Sequence, residues 1–201
     1  MHKHRPIFFV FAGNNGSGKS TIRNLIIDKI GVDINIDANA IARRLNLEDP
    51  ATKRITAGKE IIKSVNQYLN EGKDFSIETT LAGNNALKQI AKAKEYGYEV
   101  TMFYVALNNV RKNIERVAMR VENGGHHIST EDILRRDETS FKHLYEYAPI
   151  IDNIVLIDNS KDGGEIILEI NDGKITFEVT PLPQWVLPLY QQFQKNPPTE
   201  P

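Results

Sequence analysis

Cysteine is absent from all 201 residues. That one absence excludes disulfides, thiolate zinc sites and cysteine nucleophiles together. No run of about 18 or more apolar residues occurs, so no membrane span is expected. A charge surplus is missing too: 25 Lys and Arg face 26 Asp and Glu, for a net charge of −1. Nucleic-acid binders usually carry a basic surplus, so nucleic acid is not the expected partner. The start, Met1-His2-Lys3-His4-Arg5-Pro6, is basic. The apolar stretch Ile7 to Ala12 that follows is too short for a signal peptide and runs into a Gly-rich loop. With neither export signal nor membrane span, the expected location is cytoplasmic.

What is present is an ordinary globular composition, 40% hydrophobic and 25% charged. The length suits one α/β domain over residues 1–201, with 1–5 and 195–201 as flexible ends. Short apolar runs alternate with longer amphipathic stretches, the pattern of a mostly parallel sheet with helices on both faces. Ile7 to Phe11, Asp33 to Ile36, Asp74 to Glu78, Glu99 to Val105 and Asn153 to Ile157 read as strands. Helices are predicted at Ser20 to Ile30 (stripe Ile22, Leu25, Ile26, Ile30), Ala38 to Leu45 and Ala51 to Asn70 (stripe Ile55, Ile62, Val65, Leu69). Three more follow: Ala86 to Tyr96, Asn108 to Glu122, and Thr130 to about Tyr147, stopping before Pro149. Val110, Ile114, Val117, Ala118 and Val121 are the inward set of the second of these, and Ser129 or Thr130 caps the third. Asn171-Asp172-Gly173 between two β-like runs signals a small C-terminal hairpin, and Pro183 to Gln194 closes the chain.

The sharpest chemical signal is Gly13-Asn14-Asn15-Gly16-Ser17-Gly18-Lys19-Ser20, followed by Thr21, which fits G-x-x-x-x-G-K-[ST] at every fixed position. It lies between a buried-type strand and an amphipathic helix, the context in which glycines let backbone N–H groups wrap phosphates and the helix N-terminus adds its dipole. Lys19 is expected to reach the β- and γ-phosphates of ATP, and the Ser20 hydroxyl to ligate Mg²⁺. The fold class that follows is a three-layer P-loop α/β fold.

No Asn-Lys-x-Asp guanine reader and no Leu-Ser-Gly-Gly signature is present, which leaves the small-molecule kinases. Asp37 follows the second predicted strand and Glu78 ends the third, at strand ends that face the ligand crevice in such sheets. Asp37 can therefore take the proton of an attacking hydroxyl, although an aspartate before Ala38 also serves as an ordinary helix N-cap. Glu78 can bind the acceptor or a water on Mg²⁺. Arg116 and Arg120 share a helix face, and Arg135 and Arg136 start the next helix across Gly124-Gly125, so the pair can form a cationic lid or simply a solvated basic face. His126 and His127 point apart and have no accompanying ligand cluster, so no metal is read from them.

Gly13–Thr21, Asn35-Ile36-Asp37, Ser76 to Leu81, Arg116 to Ile128, Arg135-Arg136 and Asp158-Asn159-Ser160 occur in that order. Together they resemble the zeta toxin family of P-loop kinases, in its shorter, single-domain branch, over about Ile7 to Ser160. The resemblance implies a kinase of UDP-N-acetylglucosamine that phosphorylates the 3′-hydroxyl of the amino sugar, poisons peptidoglycan precursors and is restrained by a small antitoxin. By position, Asp37 resembles the catalytic base, Lys19 the phosphate lysine, Glu78 and Thr80 the sugar-binding pair, and Arg116 a phosphate-clamping arginine. The family's second clamping arginine falls near His126, so Arg120 or Arg136 is expected to take its place. Two other readings stay open: a kinase of another small hydroxyl compound, and an ATP-dependent switch that needs no base aimed at an acceptor.

Overall fold

The five-residue apolar run predicted first becomes β1, Ile7–Ala12, whose residues from Phe8 onward are buried from both sides. Such a strand belongs at the centre of a sheet covered on both faces, and β1 is there. The computed structural model describes residues 5–45, 49–161 and 163–195. The expected flexible ends lie outside the described residues except Arg5, which donates to the carbonyls of Gly97 and Tyr98, and Lys195, which ends the last helix.

Six further strands join β1: β2 Asn35–Asp37, β3 Phe75–Thr79, β4 Glu99–Ala106, β5 Asn153–Asp158, β6 Glu165–Asn171 and β7 Lys174–Glu178. They form one sheet in the order β2-β3-β1-β4-β5-β6-β7. The first five are parallel, and β6 and β7 add antiparallel to the β5 edge. The C-terminal hairpin is therefore part of the main sheet, its turn made by Asp172 (φ 47°) and Gly173 (φ 75°). The helices are α1 Lys19–Ile30, α2 Ala38–Arg44, α3 Pro50–Glu71, α4 Asn84–Glu95, α5 Val110–Glu122, α6 Thr130–Tyr147 and α7 Leu187–Lys195. Among the described residues, no helix is long and apolar enough to cross a membrane.

Alternation along β1 divides the core. Phe8, Val10 and Ala12 join the large cluster that includes Val65 and Leu69 of α3, Ile90 of α4, Leu144 of α6 and Leu189 of α7. Phe9 and Phe11 face the other way, where Ile26 and Ile27 of α1 pack. Several predicted stripes shift in the folded chain. Leu25, Ile55, Ile62 and Ala118 are exposed, and the side chain of Ile30 lies outside the described set. In α3 the residues that meet the sheet are Ile61, Val65, Tyr68 and Leu69. Ile55 and Ile62 stand at the margin of that face and are left exposed. The cap of α6 is Ser129, whose hydroxyl accepts from the Asp132 N–H, and Asn109 caps α5 in the same way.

Candidate active site

The site forms where β1, β2 and β3 end. Gly13–Ser20 runs from β1 into α1, and two of its glycines are required by close approach. At Gly13 (φ 133°) a Cβ would lie 2.0 Å from the Val105 carbonyl oxygen of β4. At Gly18 (φ 93°) it would lie 2.1 Å from Asn159 Nδ2.

The loop is tied in place by three buried carboxamides. Asn14 Nδ2 donates to the Ile133 carbonyl (3.1 Å) and to Asp137 Oδ1 (3.0 Å), both on α6. Asn113 of α5 donates to the Asn15 carbonyl (2.8 Å), and Asn159, just after β5, donates to the Ser17 carbonyl (2.8 Å). Inside this frame Ser17 Oγ is buried without a partner, an orphaned hydroxyl in a loop shaped for an anion. Lys19 Nζ rests on the Asn14 carbonyl at 2.9 Å. Burial pushes the Lys19 ammonium down to about 8, against the raising effect of Glu78 and Asp37, and Arg120 adds to the lowering. A phosphate group would relieve that imbalance by supplying the missing negative charge.

On the other side stand the acids. Asp37, the last residue of β2, is the Cα partner of Glu78 on β3. Both line a cavity of about 280 Å³ together with Asn15, Lys19, Thr80 and Arg136. The Glu78 side chain is 9% exposed; its Oε2 accepts from Ser20 Oγ at 2.7 Å, and Arg23 stands 4.0 Å from its other oxygen. Thr79 and Thr80 accept from the N–H groups of Leu81 and Ala82, a tight turn in which Leu81 takes φ 57° while fully buried. A non-glycine residue there costs roughly 1–3 kcal/mol and persists only where its surroundings fix it. His143 of α6 does so, its Nδ1–H donating to the Leu81 carbonyl at 2.7 Å.

Three predicted arginines border the phosphate loop. Arg116 donates to the Asn159 carbonyl (3.0 Å), and Nη1 of Arg136 donates to Asn15 Oδ1 (3.0 Å). Arg120 is exposed, its stem packed on Gly125, and its charge reaches Lys19. Arg135 turns to solvent and pairs with Asp132. His126 and His127 are exposed, and no group of three or more potential metal ligands exists among the described residues.

Sequence reasoning passed over Arg23, Asn113, Asp137 and Gln89. Arg23 carried a usable signal, because it lies four residues after Lys19 on the same helix face. Asn113 is a polar residue one turn from Val117 on an apolar stripe, which also could have been noticed. Nothing local marks Asp137 or Gln89, which are placed by the fold.

A sequence model of the zeta toxin family matches residues 1–161. An uncharacterized protein of Haemophilus influenzae is 37% identical over 133 residues, which are 66% of this chain and 91% of the relative. Among solved structures, the PezAT chromosomal toxin–antitoxin system of Streptococcus pneumoniae superposes with a TM-score of 0.65 at 16% identity, covering 98% of this chain and 88% of that one. The AvrRxo1-ORF1:-ORF2 structure with ATP gives a TM-score of 0.65 at 13% identity, covering 95% of this chain and 63% of the other. At such identities the structural likeness speaks for the fold, and the sequence match speaks for kinship. The chain belongs to the zeta toxin family and has its P-loop kinase fold.

Proposed function

We propose that this protein is an ATP-dependent kinase that phosphorylates the 3′-hydroxyl of the amino sugar of UDP-N-acetylglucosamine. The observation that carries the reading is the pairing of Asp37 with Glu78 at adjacent strand ends, in one cavity with Lys19 and Arg136. A switch protein needs no such acid-lined space beside its phosphate loop. A cavity of about 280 Å³ is small among ligand pockets and suits a hexose-sized group, with the nucleotide part of the acceptor outside it.

In the proposed reaction Asp37 takes the proton of the acceptor hydroxyl as its oxygen attacks the γ-phosphorus. The bond to the bridging oxygen breaks and ADP leaves with the electron pair. Lys19 and Arg136, with Arg116 and Arg120 behind the loop, hold the negative charge of the migrating group. Thr80 and the α4 wall position the sugar. The Ser20 hydroxyl and the Glu78 carboxylate bonded to it are hard oxygen donors that fit Mg²⁺, which when bound neutralises phosphate charge. We extend the proposal to a small antitoxin protein as partner, because the PezAT structure is of a toxin–antitoxin system.

Incubating the protein with ATP, Mg²⁺ and UDP-N-acetylglucosamine, followed by mass spectrometry, tests the reading. A product heavier by one phosphoryl group on the amino sugar is the expected result. An unmodified sugar nucleotide beside a phosphorylated alternative hydroxyl compound would move the assignment to the second substrate class.

A further inference from the structure

Two residues lining the acid cavity have no task in the phosphate machinery. Gln89 of α4 is 8% exposed and lines the cavity beside Asn85 and Ala86. Among the described residues its carboxamide has no hydrogen-bond partner, whereas the buried Asn14, Asn113 and Asn159 are all paired. Its polar atoms are not sealed from solvent, so the cavity is where the carboxamide can find a partner, in water or in a ligand. Gly58 of α3 lines the same cavity. Glycine inside a helix is less stable than alanine, yet nothing lies within 4 Å of the place its Cβ would take. Packing therefore does not require it. The α3 and α4 residues facing this space are Gly58, Ile61, Asn85, Ala86 and Gln89, all uncharged.

We infer that Gln89 and Gly58 form the acceptor-reading wall of the cavity, Gln89 pairing with a neutral donor–acceptor edge of the acceptor and Gly58 leaving the space into which that edge seats. A carboxamide presents one donor and one acceptor side by side, so its complement is an acylamino group or two adjacent hydroxyls, as on a sugar ring. Apolar Ile61 and Ala86 beside it suit the carbon side of such a group. The inference rests on the proposed kinase function and assigns the specificity of that site.

The test measures steady-state transfer and melting temperature for wild type, Gln89→Leu and Gly58→Ala. The acceptors are UDP-N-acetylglucosamine, UDP-glucose and free N-acetylglucosamine. Gln89→Leu should raise the acceptor KM by about 10- to 100-fold with kcat and the KM for ATP changed by no more than about twofold, and should melt no lower than wild type. Gly58→Ala should melt higher yet also raise the acceptor KM. If an acylamino group is what Gln89 reads, its loss should also shrink the preference for UDP-N-acetylglucosamine over UDP-glucose; an equal loss on both assigns it to hydroxyls they share. Unchanged acceptor KM in both variants, with transfer intact, overturns this inference alone. Lower melting temperatures with kcat and KM moving together would mark both residues as structural and overturn it too. No transfer by wild type to any of the three acceptors would overturn the proposed function and this inference with it.

Discussion

The two sides of the site are built differently. The phosphate side is held by a closed set of bonds, with Asn14, Asn113 and Asn159 reaching in from the loop, α5 and the end of β5, and two glycines that backbone and amide leave no room to replace. The proposed acceptor side is a cavity between the edge strand β2, β3, α3 and α4, where Gln89 has no partner among the described residues and Gly58 faces open space. A phosphate frame fixed by the chain and lacking only its anion, beside a wall left open to a substrate, is what one chemistry applied to a chosen acceptor requires.

Substitutions on the two sides should therefore fail in different ways. Lys19→Ala removes the charge proposed to meet the β- and γ-phosphates, and transfer should fall by about a thousandfold or more together with ATP affinity. Arg116→Ala removes a cation anchored on the Asn159 carbonyl. Its kcat should fall about a hundredfold with ATP binding much less changed, as for a group acting mainly on the developing charge. Equal losses in both would make Arg116 a ground-state phosphate contact. Asn14→Ala breaks the tie between loop and α6, removing its bonds to the Ile133 carbonyl and to the half-buried Asp137 carboxylate. It should cost about 2 kcal/mol and lower Tm by roughly 4–8 °C, read by thermal melting.

The smallest effect is a titration. Burial lowers Lys19 from 10.5 to about 8, so the free protein loses that proton as pH rises through 8, whereas phosphate holds it in the complex. Calorimetry in buffers of different ionisation heat should show no proton uptake on ATP binding near pH 6.5 and uptake approaching one proton near pH 9, with affinity falling by up to about tenfold per unit above 8. For folding the sign is opposite. Because the folded value lies below the unfolded one, neutral Lys19 is favoured in the fold, and the cost of burying its charge is relieved between about pH 8 and 10.5.

The phosphate side was largely legible in the sequence, because it is local. Eight consecutive residues encode the loop, and flanking hydrophobic periodicity places it on β1 and α1. On the proposed acceptor side the sequence placed Asp37 and Glu78 at strand ends, and Thr80 entered through the family resemblance. Gln89 and Gly58 were not legible, because an isolated polar or small residue in a helix carries no periodic signal of what it will face. Periodicity also misled on α3, where Ile55 and Ile62 fall at the margin of the buried face, and it was silent on the pairing of the C-terminal hairpin with β5. The carboxamides at 14, 113 and 159 are far apart along the chain, and only the fold brings them to one loop.

The central claim is that Asp37 acts as the base at the meeting point of the two sides, and Asp37→Asn tests it most directly. Asparagine keeps the size and the ability to cap α2 but cannot accept the proton. Melting temperature and ATP affinity measured beside transfer to UDP-N-acetylglucosamine should show the first two near wild type and transfer lower by about 10²- to 10⁴-fold. A stable Asp37→Asn protein that transfers phosphate at the wild-type rate would contradict the account.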